Sequence, residues 1–420
     1  MAAFSPASAD LEFMVTNDRR QIMGSVAKWF KKSMVVAAAA AMGLVSNGYA
    51  QTKPEKFKIG GVLSLSGPYG LLGEDMRRGA QVAVEERGGK VLGVPIEITW
   101  EDDETKPQPA VQKATKLISE GSHMIFGALS SASTLAVMNL TKQRKVPHLV
   151  TISADDKITV PGGSRYTFRT SNNLGMENRM ALVYMQDKKL KKIYAVTADY
   201  QATRDGYEWI KSQVGSTGVQ IVGEDFPPLG NRDYSSIVDK IAKSDADGVL
   251  LMLTGSDVVT LLKQAGQVNL GKSKVLFGPV VADETMAAAA GPASLGVNSG
   301  LRYDHTIDTA ANRKFVEAYR KKFGVSPSMT AGEAYDGMAW WLDTVEKTGS
   351  WDKEKWVDAF ATSVRENSVE GKKTMRACDH QALQPGFWGE VVQGTPPAPL
   401  LTMKITKVFP EEKLFEACKS

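Results

Sequence analysis

Short β-rich runs alternate with helical runs at a spacing of about 25 to 30 residues, the pattern of successive βα units on a parallel sheet. Candidate strands are Lys58 to Leu63, Ile96 to Trp100, Met124 to Phe126, His148 to Thr151, Tyr166 to Arg169, Ile193 to Thr197, Gln220 to Val222, Val249 to Leu253 and Val275 to Phe277. The intervening runs carry helical periodicity. Met76, Ala80 and Ala83 fall at i, i+4 and i+7, which gives one face to bury while Glu74, Arg77, Arg78 and Glu85 meet water. Ala110, Val111, Ala114, Leu117 and Ile118 make a second apolar stripe within Ala110 to Ser119. The fold class is therefore α/β. A second series of units begins near Asn172, which suggests a change of lobe, and a late helix pair, Asn312 to Phe323 and Ala331 to Lys347, precedes a Pro-rich tail.

At the N-terminus, Lys28, Lys31 and Lys32 precede a short apolar run, Met34 to Val45, that ends in small residues before Ala50. This is the pattern of a secretory signal peptide cleaved after Ala50. The run is far shorter than the roughly 20 residues of a membrane span. Residues before Met23 read as neither fold nor signal, so Met14 or Met23 are alternative starts. Gln51 at the new N-terminus argues against a lipid anchor. The expected compartment is the periplasm.

Losing that leader lowers the net charge from +4 to +2, because it carries five basic and three acidic residues. So balanced a charge gives no case for nucleic acid, whose binders carry clustered basic faces. About 370 residues remain, enough for two domains with their own cores. The cysteines are Cys378 and Cys418. In an oxidising compartment such a pair reads as a disulfide pinning the C-terminal tail.

Several runs then become specific in combination: Ile59 to Gly67, Glu101 to Pro107, Gly127 to Ser133, Arg169 to Ser171, Ala198 to Tyr200, Phe277 to Pro279 and Ala334 to Gly337. In this order and spacing the chain resembles the periplasmic solute-binding proteins of the branched-chain amino acid (leucine-binding) type that serve ATP-binding-cassette importers. The resemblance implies a type I periplasmic binding protein: two Rossmann-like lobes joined by three crossing segments, with ligand in the cleft between them. Lobe one is expected at residues 56–172 plus 303–383, and lobe two at 173–302 plus 384–420. A monomer that delivers a small molecule to an inner-membrane permease, without cofactor or metal, is the implied mode of work.

In an open α/β lobe, ligands bind beyond the carboxyl ends of the strands, where loops expose N–H groups and helix N-termini. Ser130 and Ser131 follow the Met124 to Phe126 strand, and Ser153, Ala154 and Asp155 follow the next. By resemblance, Ser131, Ser153 and Asp155 align with the family's carboxylate-binding positions; N-capping is the simpler alternative for each. Tyr69, Tyr200, Thr203, Thr254 and Gly255 are further cleft candidates. Amino acid binders of this family place a carboxylate just after the Gly-Pro step to hold the α-ammonium, but Gly278-Pro279 is followed here by Val280. Asp283 or Glu284 are the shifted substitutes. Otherwise the ligand is a small organic acid or amide, an aromatic carboxylate among them, with a conventional amino acid as the alternative.

Other apparent motifs are set aside. Gly266 to Ser273 satisfies the Walker A pattern but closes a helix and leads into a strand, the reverse of a P-loop. Glu101 to Glu104 reads as a solvated strand end. The four histidines, His123, His148, His305 and His380, lack metal-ligand spacing, although His305 and His380 fall near lobe crossings. No serine has glycine at both −2 and +2, so the nucleophile elbow is missing and an enzyme is not expected. A sensor that passes lobe closure to a signalling protein is the alternative from another class.

Overall fold

The computed structural model describes residues 53–395, 399–415 and 418, so the leader expected at residues 1–50 lies outside the described residues. The first sheet contains β1 (Phe57–Leu63), β2 (Lys90–Val91), β3 (Val94–Asp102), β4 (Met124–Gly127), β5 (His148–Val150) and β6 (Thr167–Arg169), in the order β2-β3-β1-β4-β5-β6. All its pairings are parallel except the β2-β3 hairpin. The second begins with β7 (Lys192–Thr197), β8 (Gln220–Asp225), β9 (Gly248–Met252), β10 (Val275–Gly278) and β11 (Asn298–Leu301). A small antiparallel sheet of β12 (Val364–Arg365), β13 (Lys373–Met375) and β14 (Ala382–Leu383) follows. Then β15 (Gly386–Gln393) and β16 (Leu401–Phe409) extend the second sheet to β16-β15-β11-β10-β9-β7-β8.

The helices that matter for the site are α1 (Gly70–Glu86), α2 (Pro107–Ser119), α3 (Ser131–Arg144), α4 (Leu174–Asp187), α5 (Gln201–Thr217), α6 (Ser235–Lys243), α7 (Ser256–Gln267), α8 (Glu284–Ala290), α9 (Ala310–Phe323) and α10 (Met329–Thr348). As the periodicity predicts, Met76, Ala80 and Ala83 of α1 are buried. Helix α10 is buried almost along its whole length, Trp340 and Trp341 included. It lies against α1 so closely that a Cβ at Gly79 would stand 2.0 Å from the Ala331 carbonyl oxygen. Ser328 caps its N-terminus by accepting from Ala331 N–H. No helix among the described residues is long and apolar enough to cross a membrane.

Two expectations are corrected. The stretch read as a Pro-rich tail contains the eight-residue β15 and nine-residue β16, and β11 was absent from the expected strands. Its Asn-Ser-Gly-Leu sequence has almost no β-propensity; it is held by β10 on one side and β15 on the other. Second, the acidic run at the end of β3, Glu101 to Glu104, is not simply solvated. Asp103 is fully buried, taking the Ser64 hydroxyl at 2.7 Å, while Asp102 accepts from Leu65 and Ser66 N–H at 2.9 and 3.2 Å. These carboxylates shape the loop between β1 and α1. Gly266 to Ser273 does end α7 and lead into β10. The disulfide joins Cys378 to Cys418, with Cα atoms 6.5 Å apart.

Candidate ligand-binding site

In each sheet the order of the parallel strands reverses between the first of them and the third: β1 beside β4, and β7 beside β9. A crevice opens at such a switch point, beyond the strands' carboxyl ends. Here the two crevices face one another. The loops after β1, β4 and β5 meet those after β7, β9 and β10 around a cleft of about 100 Å³, small enough for one single-ring solute.

One wall is rich in donors. The loop after β5 has its carbonyls fixed: Ile152 O accepts from Arg302 Nη1, Ser153 O and Asp155 O from Arg169 Nη1 at 3.2 and 2.6 Å, and Ala154 O from Leu174 N–H at 2.8 Å. In a planar trans peptide the N–H opposes the carbonyl. Pinning carbonyls 152, 153 and 154 therefore turns the N–H groups of Ser153, Ala154 and Asp155 the other way. Asp155 N–H donates to Ser131 Oγ at 3.3 Å; those of Ser153 and Ala154 have no protein acceptor among the described residues. Ser131 opens the 14-residue α3, whose N-terminus adds a favourable dipole for an anion.

The opposite wall is mainly apolar, made by Leu251, Met252, Leu253, Pro279 and Val280, with Thr254 at its edge. Tyr69 and Tyr200 line the cleft between the walls, as Ser131 does. Burial pushes both phenol pKa values up, so each remains protonated at neutral pH.

Two charged groups also line the cleft: Glu177 of α4 and Arg302, paired at 2.5 Å and both buried. Burial raises the Glu177 carboxyl above its ordinary range although Arg302 opposes the shift. The sequence reading missed both. Arg302 follows the strand that was itself overlooked, and Glu177 sits in a helical run like any surface acid. Asp155, the other lining carboxylate, accepts from Lys157 N–H at 2.8 Å as a cap. No lining carboxylate is thus left without a partner.

The structure brings Tyr69, Ser131, Ser153, Ala154 and Asp155 to the cleft from the first-sheet side, and Tyr200, Thr203, Thr254 and Val280 from the second. Ser130 and Gly255 are not among its lining residues. Ser130 sits behind, as the N-cap residue of α3. Gly255 adopts φ +61°, and a Cβ there would stand 2.5 Å from Pro68 O and 2.9 Å from Tyr69 Cδ1; it lets the second lobe approach the first. Two hydroxyls are already used: Ser153 Oγ donates toward Ala128 O and Leu129 O at 3.0 and 2.7 Å, and Thr203 Oγ1 toward Ala198 O at 2.6 Å. Asp283 caps α8 through Met286 N–H, and Glu284 accepts from Met403 N–H. Neither lines the cleft, so neither replaces the carboxylate missing at Val280.

Residues 56–396 match a family described as periplasmic binding protein. A Leu/Ile/Val-binding protein homolog from Brucella suis biovar 1 is 30% identical over 328 residues, covering 76% of this chain and 82% of that protein. A solute-binding protein of an ABC transporter from R. palustris, in complex with benzoate, superposes with a TM-score of 0.78 at 26% identity, over 84% of this chain and 97% of its own. A second from R. palustris, in complex with 4-hydroxybenzoate, gives 0.77 at 25% identity over 85% and 97%.

Proposed function

The chain belongs to the periplasmic binding protein family, as a solute-binding protein of the ABC transporter type and not an enzyme, and from that premise we propose that its solute is a small aromatic carboxylate. The carboxylate accepts from Ser153 and Ala154 N–H and from the Ser131 hydroxyl, while the ring lies against Val280 and the Leu251–Leu253 wall. The observation that carries this is the mismatch with an α-ammonium. By the resemblance Val280 stands where amino acid binders carry the counter-charge, Glu177 is held by Arg302, Asp155 accepts from Lys157 N–H, and the carbonyls of residues 152–154 are already engaged by Arg302, Arg169 and Leu174 N–H. An ammonium buried without an acceptor is costly, whereas a carboxylate meets donors. The R. palustris neighbours with benzoate and 4-hydroxybenzoate support the same chemistry.

In this reading the protein is exported, works as a monomer in the periplasm, and closes its lobes because the solute touches both. The closed form is presented to an inner-membrane permease. The name of the Brucella relative favours a branched-chain amino acid instead, and Glu177 would then have to leave Arg302 to meet the ammonium. Calorimetric titration with benzoate, 4-hydroxybenzoate and leucine separates the two. We expect the aromatic acids to bind at least about tenfold more tightly than leucine, a gap of about 1.4 kcal/mol; tighter leucine binding overturns the proposal. Val280→Asp should weaken benzoate further, since it places a second anion beside the first.

A further inference from the structure

Away from the cleft, Glu284 at the start of α8 converges with Asp304 and His305, which follow β11 where the chain leaves the second sheet. One donor atom from each lies within 4.8 Å of the others, and the residues are only 6%, 0% and 8% exposed. Part of their capacity is used. Glu284 Oε1 accepts from Met403 N–H at 3.3 Å and the Thr402 hydroxyl at 3.4 Å, and Asp304 Oδ1 accepts from Thr306 N–H at 2.7 Å. His305 Nδ1 stands 3.1 Å from Glu284 Oε1, close enough for an ion pair but not aligned for a hydrogen bond.

Glu284 Oε2, Asp304 Oδ2 and His305 Nδ1 are all buried without a hydrogen-bond partner among the described residues, and Asp283 Oδ2 next in the chain is too. Native structures leave few such atoms, because each costs on the order of 1–3 kcal/mol. One imidazole and two carboxylates form the donor set of a zinc-like cation, with a coordination position left for water. Glu284 also lines a separate groove of about 820 Å³, together with Asp75 and Arg78 of α1, which supplies a route from solvent.

We propose that Glu284, Asp304 and His305 bind a divalent transition-metal cation of the zinc type. It would join α8 and, through the Glu284 contacts, β16 to the segment that crosses out of the second sheet. The alternative is a purely internal ion pair of His305 with the two acids, which binds no metal.

The mature protein, first dialysed against chelator, is titrated with Co²⁺, whose visible absorption reports protein ligation, and then with Zn²⁺. We expect one saturable site, displacement of cobalt by zinc, loss of the absorption in His305→Gln and at least tenfold weaker cobalt binding in Glu284→Gln, while His123→Gln behaves as wild type. No saturable cobalt signal, or an unchanged spectrum in both folded variants, overturns the proposal. Should either variant fail to fold, anomalous diffraction from zinc-soaked wild-type crystals decides. A peak bonded to His305 and the two carboxylates supports the site, and its absence there rejects it.

Discussion

The lobe built on the first sheet and the lobe built on the second repeat one parallel strand order, β3-β1-β4-β5-β6 in one and β8-β7-β9-β10-β11 in the other. They nevertheless present different chemistry to the cleft. The first offers N–H groups and the Ser131 hydroxyl, with two buried arginines bonded to the carbonyls of its loop. The second offers leucine, proline and valine. Topology thus decides where a solute sits, and the residues just past each strand decide what kind of solute it is. The antiparallel pair β15 and β16 is a further asymmetry, since it extends only the second sheet.

The largest test of that asymmetry concerns the tether on the extension. Cys378 lies beyond β13 and Cys418 beyond β16, separated by 40 positions. Closing a loop of that length stabilises by about 4 kcal/mol in the chain-entropy account, so Cys378→Ser should lower the unfolding free energy by that order under non-reducing conditions. An unchanged denaturant midpoint breaks the idea that the tail is held to the rest of the fold.

Next comes a pH test specific to the first lobe. His148 on β5 is fully buried against the Gly127 carbonyl, and desolvation depresses its pKa to about 4. The folded state therefore favours neutral imidazole, while the unfolded chain takes up a proton below about 6.5. Its contribution is complete above about 6.5 and is lost as pH falls toward 4, reaching about 3 kcal/mol. Stability measured across that window should fall less steeply in His148→Gln than in wild type.

Two smaller effects compare the walls directly. Gly255→Val imposes φ +61° on a β-branched residue and drives its Cβ toward Pro68 O across the cleft. The backbone strain of about 1–3 kcal/mol lowers stability whether or not the lobes meet, whereas the clash with Pro68 arises only where they meet and should weaken solute binding about tenfold; calorimetry reads it, and wild-type affinity would show that closure does not need the glycine. On the first wall, Ser131→Ala should cost about tenfold in benzoate affinity, near 1.4 kcal/mol. Ser153→Ala should instead leave affinity nearly intact and reduce stability by about 1–2 kcal/mol, since its hydroxyl serves carbonyls inside the lobe. If Ser153→Ala loses affinity as Ser131→Ala does, the division of labour assigned to these serines is wrong.

Much of the frame was legible in the chain because it is local. Strands such as Met124–Gly127 are apolar throughout and bounded by turn residues, and α1 shows its buried face at helical spacing. Loops at strand ends follow directly, which is how Ser131 and Asp155 were placed after their strands; Val280 was singled out by the family resemblance. What escaped notice depends on partners distant in sequence. Asn298–Leu301 becomes a strand only between β10 and β15. Arg302 acquires a role only once Glu177, 125 positions away, lies beside it. The hydroxyl of Ser153 looked available because no periodicity reveals which way a loop side chain turns.

The pinned carbonyls of residues 152–154 bear on the thermodynamics of capture. In the proposed reading, because Arg302, Arg169 and Leu174 N–H hold them before any solute arrives, an incoming anion would meet peptide dipoles that need not rotate. The reorganisation belonging to an anion site is completed when the chain folds. What is left for the binding event is the shedding of water and the movement of the apolar wall. Heat-capacity change, more than enthalpy, is then the quantity that should distinguish one ring substituent from another.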